Sequence, residues 1–254
     1  NAIAAADYIV SWDGAAYAAL DTGLPSACYA LAVHPNGNIY AGGGVSATSG
    51  YVEYWDGSAW TDITSDSLSE DTVLALAITS AGTIYAGGQF PDATVAPPTP
   101  QNPPYHIAEY TGSSWVDVGG GLYDNNAAGS ENVGDVRAIF IAPDGRLWVA
   151  GDFRYIGSDK RDAENGLAVF YGNNWSRPGF DPGTNVVFNA VEISNRDPVI
   201  EQSYDVYAGF NASIALPALS ANTIATNAGS AEAFPRVIIL DETGSAIVPW
   251  HILN

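Results

Sequence analysis

Residues 29–43 read YALAVHPNGNIYAGG, and residues 74–88 repeat the pattern as LALAITSAGTIYAGG. A third copy, RAIFIAPDGRLWVAG, occupies residues 137–151, and a fourth copy with a longer turn runs from 188 to 209. Apolar and polar residues alternate on both sides of each turn, which predicts a pair of half-buried β-strands. The turns contain Asn-Gly, Asp-Gly or a related pair, and these residues favour tight hairpins.

A second kind of hairpin alternates with the first, and in most copies its second strand carries tryptophan. Its copies lie at residues 9–14, 52–60, 107–115, 167–175 and 237–250. No stretch of the sequence has a convincing helical period. One hairpin of each kind gives four strands in roughly 45–65 residues, which is typical of one β-propeller blade.

The repeats predict an all-β fold, a single β-propeller domain over residues 1–254 built from four-stranded antiparallel blades. We expect the blades at about 28–63, 73–118, 136–178 and 187–250. The hairpin at 8–20 is left without inner strands. Because an open sheet edge invites aggregation, we expect either that the native polypeptide continues past residue 254 and closes the ring, or that a neighbouring subunit covers the hairpin.

The repeated residues resemble kelch-like and delta-60-type propeller repeats. The similarity rests on A-x-(Y/F/W)-x-G-x-x-W, as in residues 108–115, followed by V-x-A-(I/L)-x-x-x-x-x-G-x-(L/I)-(Y/W)-(V/A)-x-G-(D/Q)-F, as in residues 136–153. It covers residues 7 to about 254. Such repeats occur in bacterial and phage surface proteins, and fungal cell-cortex polarity markers carry similar ones. The resemblance implies a propeller and favours a virion appendage or an adhesin, but the matching positions are structural.

The charge balance narrows the range of partners. The chain has 28 acidic and 8 basic residues, a formal net charge of −20. A surface this negative repels nucleic acid and anionic lipid, so we expect no nucleic-acid partner. No apolar stretch of about 18 residues exists, so we expect no membrane insertion. The composition suits an extracellular, cell-surface or virion-surface location, although many secreted β proteins are acidic without special reason.

The long connections define where a ligand would bind. In antiparallel blades the tight turns fall on one face and the longer connections on the other. The longer connections are 44–50, 64–72, 91–106, 119–134, 154–166, 179–186 and 210–235. Binding residues tend to lie on loops that a rigid scaffold holds, so we expect any site on this loop-rich face. The alternative is that these loops pack on each other or on neighbouring chains.

Two loops supply candidate residues. Residues 154–164 gather three of the eight basic residues beside an aromatic ring. The candidate ligand-binding residues for a glycan or another polar ligand are Arg154, Tyr155, Asp159, Lys160 and Arg161. Residues 211–235 are small and apolar, which favours burial against a protein partner in a larger assembly. The candidate partner contacts are Ile214, Leu216, Leu219 and Ile224.

Motifs for catalysis, metals and cofactors are missing from the sequence. It contains no nucleophile elbow, P-loop or dinucleotide fingerprint. The histidines, His34, His106 and His251, fall at unrelated repeat positions, so we expect no metal site and no cofactor. Paired carboxylates for glycoside hydrolysis stay possible, since two separate loops can supply them. The carboxylates available for this are Asp66, Asp124, Asp159 and Glu164.

The sequence therefore favours a non-enzymatic, surface-displayed binding or structural propeller. We expect a phage or virion appendage or decoration, or a cell-surface adhesin, which recognises glycan or protein through its loop-rich face. One alternative is a secreted polysaccharide lyase or hydrolase. Another is a purely architectural subunit of an extracellular filament or capsid.

Overall fold

The computed structural model describes residues 7–45, 50–64, 68, 72–89, 106–123, 135–159, 161–162, 166–177, 188–195, 204–210, 236–240 and 246–251. The regular elements of these residues are strands, which confirms the all-β prediction. Among them no helix is long and apolar enough to cross a membrane.

The strands follow one another as short hairpins. The N-terminal hairpin is β1 (Val10–Trp12) and β2 (Tyr17–Ala19). The first sheet contains β3 (Cys28–Val33), β4 (Ile39–Gly43), β5 (Tyr51–Trp55) and β6 (Trp60–Asp62). The second contains β7 (Val73–Ile78), β8 (Ile84–Gly88), β9 (Ile107–Tyr110) and β10 (Trp115–Asp117).

The later strands form the third and fourth sheets and a small extra sheet. Between β10 and the end of the chain lie β11 (Leu122–Tyr123), β12 (Asp135–Ile141), β13 (Leu147–Asp152), β14 (Tyr155–Ile156), β15 (Arg161–Asp162), β16 (Leu167–Tyr171), β17 (Asn174–Ser176), β18 (Phe188–Asn195), β19 (Tyr204–Phe210), β20 (Arg236–Leu240) and β21 (Ala246–His251). The third sheet is β12-β13-β16-β17, and the fourth is β18-β19-β20-β21. Strands β11, β14 and β15 form what we call the bridging sheet.

The first three sheets are antiparallel throughout, as the repeats predict, but the fourth is not. There β19 and β20 run parallel, with Asp205 opposite Arg236 and Gly209 opposite Leu240. The expectation of an antiparallel blade at 187–250 is therefore wrong at this pair. Antiparallel neighbours can be joined by a tight turn, whereas a parallel pair needs a crossover of about a dozen residues or more. Residues 211–235 are long enough for that crossover, and they lie outside the described residues.

Glycine allows neighbouring sheets to pack closely. A Cβ on Gly42 of β4 would lie 2.7 Å from Cγ1 of Val73 and 3.2 Å from Cδ1 of Leu76, both on β7. A Cβ on Gly87 of β8 would clash in the same way with Val136 on β12. In the first and second sheets, the glycine two residues after the inner-strand tyrosine therefore leaves the space into which the next sheet packs, as in the side-by-side packing of propeller blades.

Tryptophan links the outer strands of successive sheets. In each link an indole N–H donates to the carbonyl oxygen of a residue just after the preceding outer hairpin. The links are Trp60 to Leu20 at 3.1 Å, Trp115 to Ile63 at 2.8 Å and Trp175 to Val118 at 2.9 Å. Because Leu20 follows the N-terminal hairpin, that hairpin occupies the position of an outer hairpin in a blade before the first sheet.

Candidate functional site

The predicted ligand-binding loop forms the greater part of the bridging sheet. Strand β14 pairs antiparallel with β11, with Tyr155 opposite Tyr123, and β15 pairs with β14, with Arg161 opposite Ile156. Strand β11 follows the second sheet, whereas β14 and β15 lie between two strands of the third sheet. The sequence did not predict this sheet, because two-residue strands have no readable alternation.

The bridging sheet is fixed to the rigid sheets beneath it. Leu122 and Ile156 are fully buried and belong to the apolar cluster between the second and third sheets. The backbone N–H of Arg154 donates to the carbonyl of Tyr123 at 2.7 Å. The phenol of Tyr123 donates to the carbonyl of Gly120 at 2.7 Å. A loop held by this many buried contacts presents its exposed side chains in a defined arrangement.

Two of the five candidate ligand-binding residues come together. The guanidinium of Arg154 lies over the ring of Tyr155, 5.6 Å from its centroid, and Arg154 is exposed. Asp159 is exposed on the hairpin turn. Arg161 is described by its backbone in β15, and Lys160 lies outside the described residues. The loop thus presents a cation stacked on an aromatic ring, a pair that suits a planar polar ligand.

The other candidates fall largely outside the described part of the chain. This holds for the partner contacts Ile214, Leu216, Leu219 and Ile224 and for the carboxylates Asp66, Asp124 and Glu164. Within the described residues, no three His, Cys, Asp or Glu side chains converge where a metal ion would bind.

A buried histidine lies between the second and third sheets near the loop-rich face. His106 is 2% exposed, and neither ring nitrogen has a hydrogen-bond partner among the described residues. Burial lowers the pKa of His106 to about 4, although the nearby Asp135 carboxylate acts in the opposite direction. The imidazole is therefore neutral at pH 7, and protonating it would place an unsolvated charge between these two sheets.

A concave site lies on the opposite face, among the tight turns, where the sequence predicts none. It is a cleft of about 210 Å³ between the second and third sheets. Its lining includes Thr79, Tyr85, Glu109, Phe170 and Tyr171. Burial, together with the Glu109 carboxylate, raises the pKa of Tyr85 to about 12. The phenol of Tyr85 therefore stays protonated at neutral pH beside Glu109.

Close packing at Gly42 and Gly87 and the tryptophan hydrogen bonds between outer strands place the sheets side by side, as the blades of a propeller are placed. The chain therefore has the fold of a β-propeller. No protein-family model matches the chain, and no curated protein matches it either.

Several solved structures are similar to this chain. They include YCF48 bound to D1 peptide, with 15% identity, TM-score 0.41 and coverage of 77% of this chain and 52% of that chain. PorZ, a bacterial surface component of the type-IX secretion system of Porphyromonas gingivalis, has 14% identity, TM-score 0.43 and coverage of 73% and 25%. A protein of unknown function from Dyadobacter fermentans has 19% identity, TM-score 0.38 and coverage of 66% and 58%. The chain therefore matches between a quarter and three fifths of the length of these structures.

Proposed function

We propose that this chain is a non-enzymatic binding and structural propeller of the kelch-like kind, displayed on a virion or cell surface and packed against other protein there. The observation that carries the proposal is an apolar face of the first sheet that no described residue covers. The acidic charge and the stacked Arg154–Tyr155 pair support it further.

The uncovered face lies on strand β3. Leu31 is 57% exposed and Val33 is 70% exposed. Their equivalents in the second sheet are Leu76 and Ile78, and Leu76 packs against Gly42. The first sheet therefore presents the same packing surface, and no described residue covers it. An exposed apolar surface of this kind supports the proposal that a partner protein packs here.

The N-terminal hairpin presents an edge strand, β1, that pairs with no described strand other than β2. In the first three sheets the strand equivalent to β1 pairs with an inner strand, as β5 pairs with β4. Strand β1 pairs with β2 alone among the described strands, and its Val10 and Trp12 are 43% and 54% exposed. An edge strand of this kind accepts a strand from a partner, with backbone hydrogen bonds and side-chain pockets acting together.

The assembly role is tested by a double substitution, Leu31→Asp with Val33→Asp, in the organism that makes the protein. Antibodies against the chain should label intact particles or cells that carry the wild type, but not those that carry the double variant. The matched control is Val116→Asp, since Val116 is 40% exposed on an outer strand and lies on no predicted interface. Labelling of the double variant at the wild-type level, with unchanged thermal unfolding, contradicts the proposal.

The ligand-binding role is tested separately on a glycan array. Arg154→Ala should abolish binding of any glycan that the wild type retains, because it removes the stacked cation from the loop-rich face. Arg146→Ala is the matched control, since the guanidinium of Arg146 lies over the Tyr171 ring at 5.5 Å on the tight-turn face. Glycan binding that depends on Arg146 and not on Arg154 would place the site on the tight-turn face and would contradict the proposed role of the loop-rich face.

A further inference from the structure

We call the packing interface between two neighbouring sheets a joint. In the joint between the first and second sheets, aromatic side chains fill the space at the tight-turn face. The Nε2 atom of His34 lies 3.2 Å from the carbonyl oxygen of Gly82. The His34 ring is 5.7 Å from Tyr40, and the Tyr40 ring is 5.4 Å from Tyr54. Three aromatic side chains therefore close this joint, and the histidine joins the two sheets.

The joint between the second and third sheets has equivalent backbone positions, but different side chains occupy them. Thr79 stands where the first sheet has His34, and Gly145 stands where the second has Gly82. The shorter threonine leaves the cleft of about 210 Å³ open. Glu109, opposite Tyr85 on the neighbouring strand, replaces Tyr54, which is opposite Tyr40. The substitutions thus both open the joint and place a carboxylate in it.

The rim of the cleft also differs from the equivalent position in the preceding repeat. Tyr171 stands where the second sheet has Thr111, at the start of the corresponding outer turn, and is 58% exposed. It already contacts a cation, because the guanidinium of Arg146 lies over its ring. Arg146 is itself paired with Asp144 at 3.3 Å, so its charge is balanced.

The Glu109 carboxylate has no cation beside it among the described residues. The salt bridges Arg137–Asp135 and Arg146–Asp144 do not include Glu109. Glu109 lines the cleft together with Tyr85, Phe170 and Tyr171. Aromatic faces and a carboxylate together attract an ammonium group, while a neutral ligand gains from the rings alone.

We propose that the cleft lined by Glu109, Tyr85 and Tyr171 binds an alkylammonium group, either a lysine side chain of a partner protein or a free amine. The net charge of −20 raises the local concentration of cations around the whole chain. The volume admits one side chain or one small amine, and it is smaller than the about 300–1,000 Å³ of a drug-sized pocket. This inference is independent of the loop-rich face and of the uncovered face on β3.

The test is an NMR titration of the whole chain at matched ionic strength with n-butylammonium chloride, N-acetyl-lysine methylamide, n-butanol and glucose. Both ammonium probes should shift the resonances of Tyr85, Glu109 and Tyr171, and n-butanol and glucose should not. Stronger binding of the lysine amide than of n-butylammonium points to a partner's lysine, and the reverse points to a free amine.

Two variants keep the outcome interpretable. Glu109→Gln keeps the shape of the cleft and should weaken ammonium binding by about tenfold or more, the effect of losing a charge-assisted contact. Thr79→His should abolish binding by filling the cleft as His34 fills the first joint. His34→Thr is the control, because it opens the first joint beside Tyr54 and should create no ammonium site.

The proposal is overturned if neither ammonium probe shifts those resonances, or if Glu109→Gln binds both probes as the wild type does. Binding of glucose that survives Glu109→Gln would make the cleft a saccharide site and would also overturn it. Thermal unfolding of each variant shows whether a loss of binding comes from the cleft or from loss of the fold.

Discussion

Strands β3 and β7 have nearly the same sequence and very different surroundings. The first reads CYALAV and the second VLALAI, and both pair with a strand that reads IYAGG. Leu76 of β7 packs against Gly42, whereas Leu31 at the equivalent position of β3 is 57% exposed. The sequence of a repeat determines its strands, but the neighbouring repeat determines whether its apolar face is buried.

In repeat proteins each unit is stabilised mainly by contacts with its neighbours, so an apolar face that no neighbouring repeat covers is a candidate surface for a partner. The packing between sheets therefore contributes stability in this chain, whereas the face of β3 that no described residue covers is where we propose that a partner packs. Paired substitutions at equivalent positions test this division.

The largest expected effect is on the free energy of unfolding, through the joint between the second and third sheets that contains His106. Its pKa of about 4 in the fold lies below the 6.5 of an unperturbed histidine, so the unfolded chain binds the proton first as the pH falls. The contribution to stability is complete above about pH 6.5 and is lost as the pH approaches 4, by about 2–3 kcal/mol.

Urea unfolding of the wild type and of His106→Asn at pH 7 and pH 4.5 measures this loss. Asparagine does not titrate and tolerates the φ of +60° at this position. The variant should lose about 2–3 kcal/mol less than the wild type between the two pH values. An equal loss in both proteins would mean that His106 is not buried in a covered joint.

The next largest effect is expected from adding a methyl group at a glycine that packs against the neighbouring sheet. Gly42→Ala places a methyl group 2.7 Å from Cγ1 of the fully buried Val73 and should lower the free energy of unfolding by about 2 kcal/mol. Gly209→Ala in the fourth sheet is the matched control, since its Cβ meets nothing nearer than Ala190 at 3.8 Å. Chemical denaturation should show the control within about 0.5 kcal/mol of the wild type. Equal losses of stability at the two glycines would contradict the close packing of β7 against Gly42.

Truncating the two equivalent leucines compares the strands directly. Leu76→Ala should destabilise the chain by about 1–2 kcal/mol, because it removes apolar contact from a half-buried position against Gly42. Leu31→Ala should change stability by less than about 0.5 kcal/mol in the isolated chain. The comparison fails if Leu31→Ala costs as much as Leu76→Ala in thermal or chemical unfolding.

The smallest effect concerns the tryptophan links. Trp175→Phe removes the indole N–H and part of the buried ring, and it leaves the carbonyl of Val118 without its indole donor; the lost hydrogen bond alone should cost about 1 kcal/mol. Trp12→Phe is the control on the N-terminal hairpin, where the ring is 54% exposed. A chemical-denaturation difference between the two variants below about 0.3 kcal/mol would mean that the link adds no stability.

The sequence predicts the local part of this fold and misses the part that depends on distant residues. Alternation and Asn-Gly or Asp-Gly turns predict the hairpins because both signals are local. The parallel pairing of β19 with β20 was missed, since residues 211–235 carry no signal for the direction of the returning strand. The bridging sheet was missed because its strands are too short for alternation to be visible.

The candidate site shows the same limit. The composition of residues 154–164 predicts this loop as a candidate site, and the structure adds that the Arg154 guanidinium lies over the Tyr155 ring and that Asp159 is exposed on the turn. The cleft at Glu109 was missed because its lining comes from two sheets. Aligning the repeats would have found it, since Thr79 and Glu109 replace aromatic residues of the preceding repeat.

Hydroxyl-radical footprinting tests most directly whether the uncovered face of β3 is an interface. Oxidation of Leu31 and Val33 is measured in the isolated chain and in the intact native particle or cell surface, with the half-buried Leu76 as internal reference. We expect Leu31 and Val33 to be oxidised in the isolated chain and protected in the native assembly, with Leu76 unchanged. Equal oxidation of Leu31 and Val33 in both states would contradict the account.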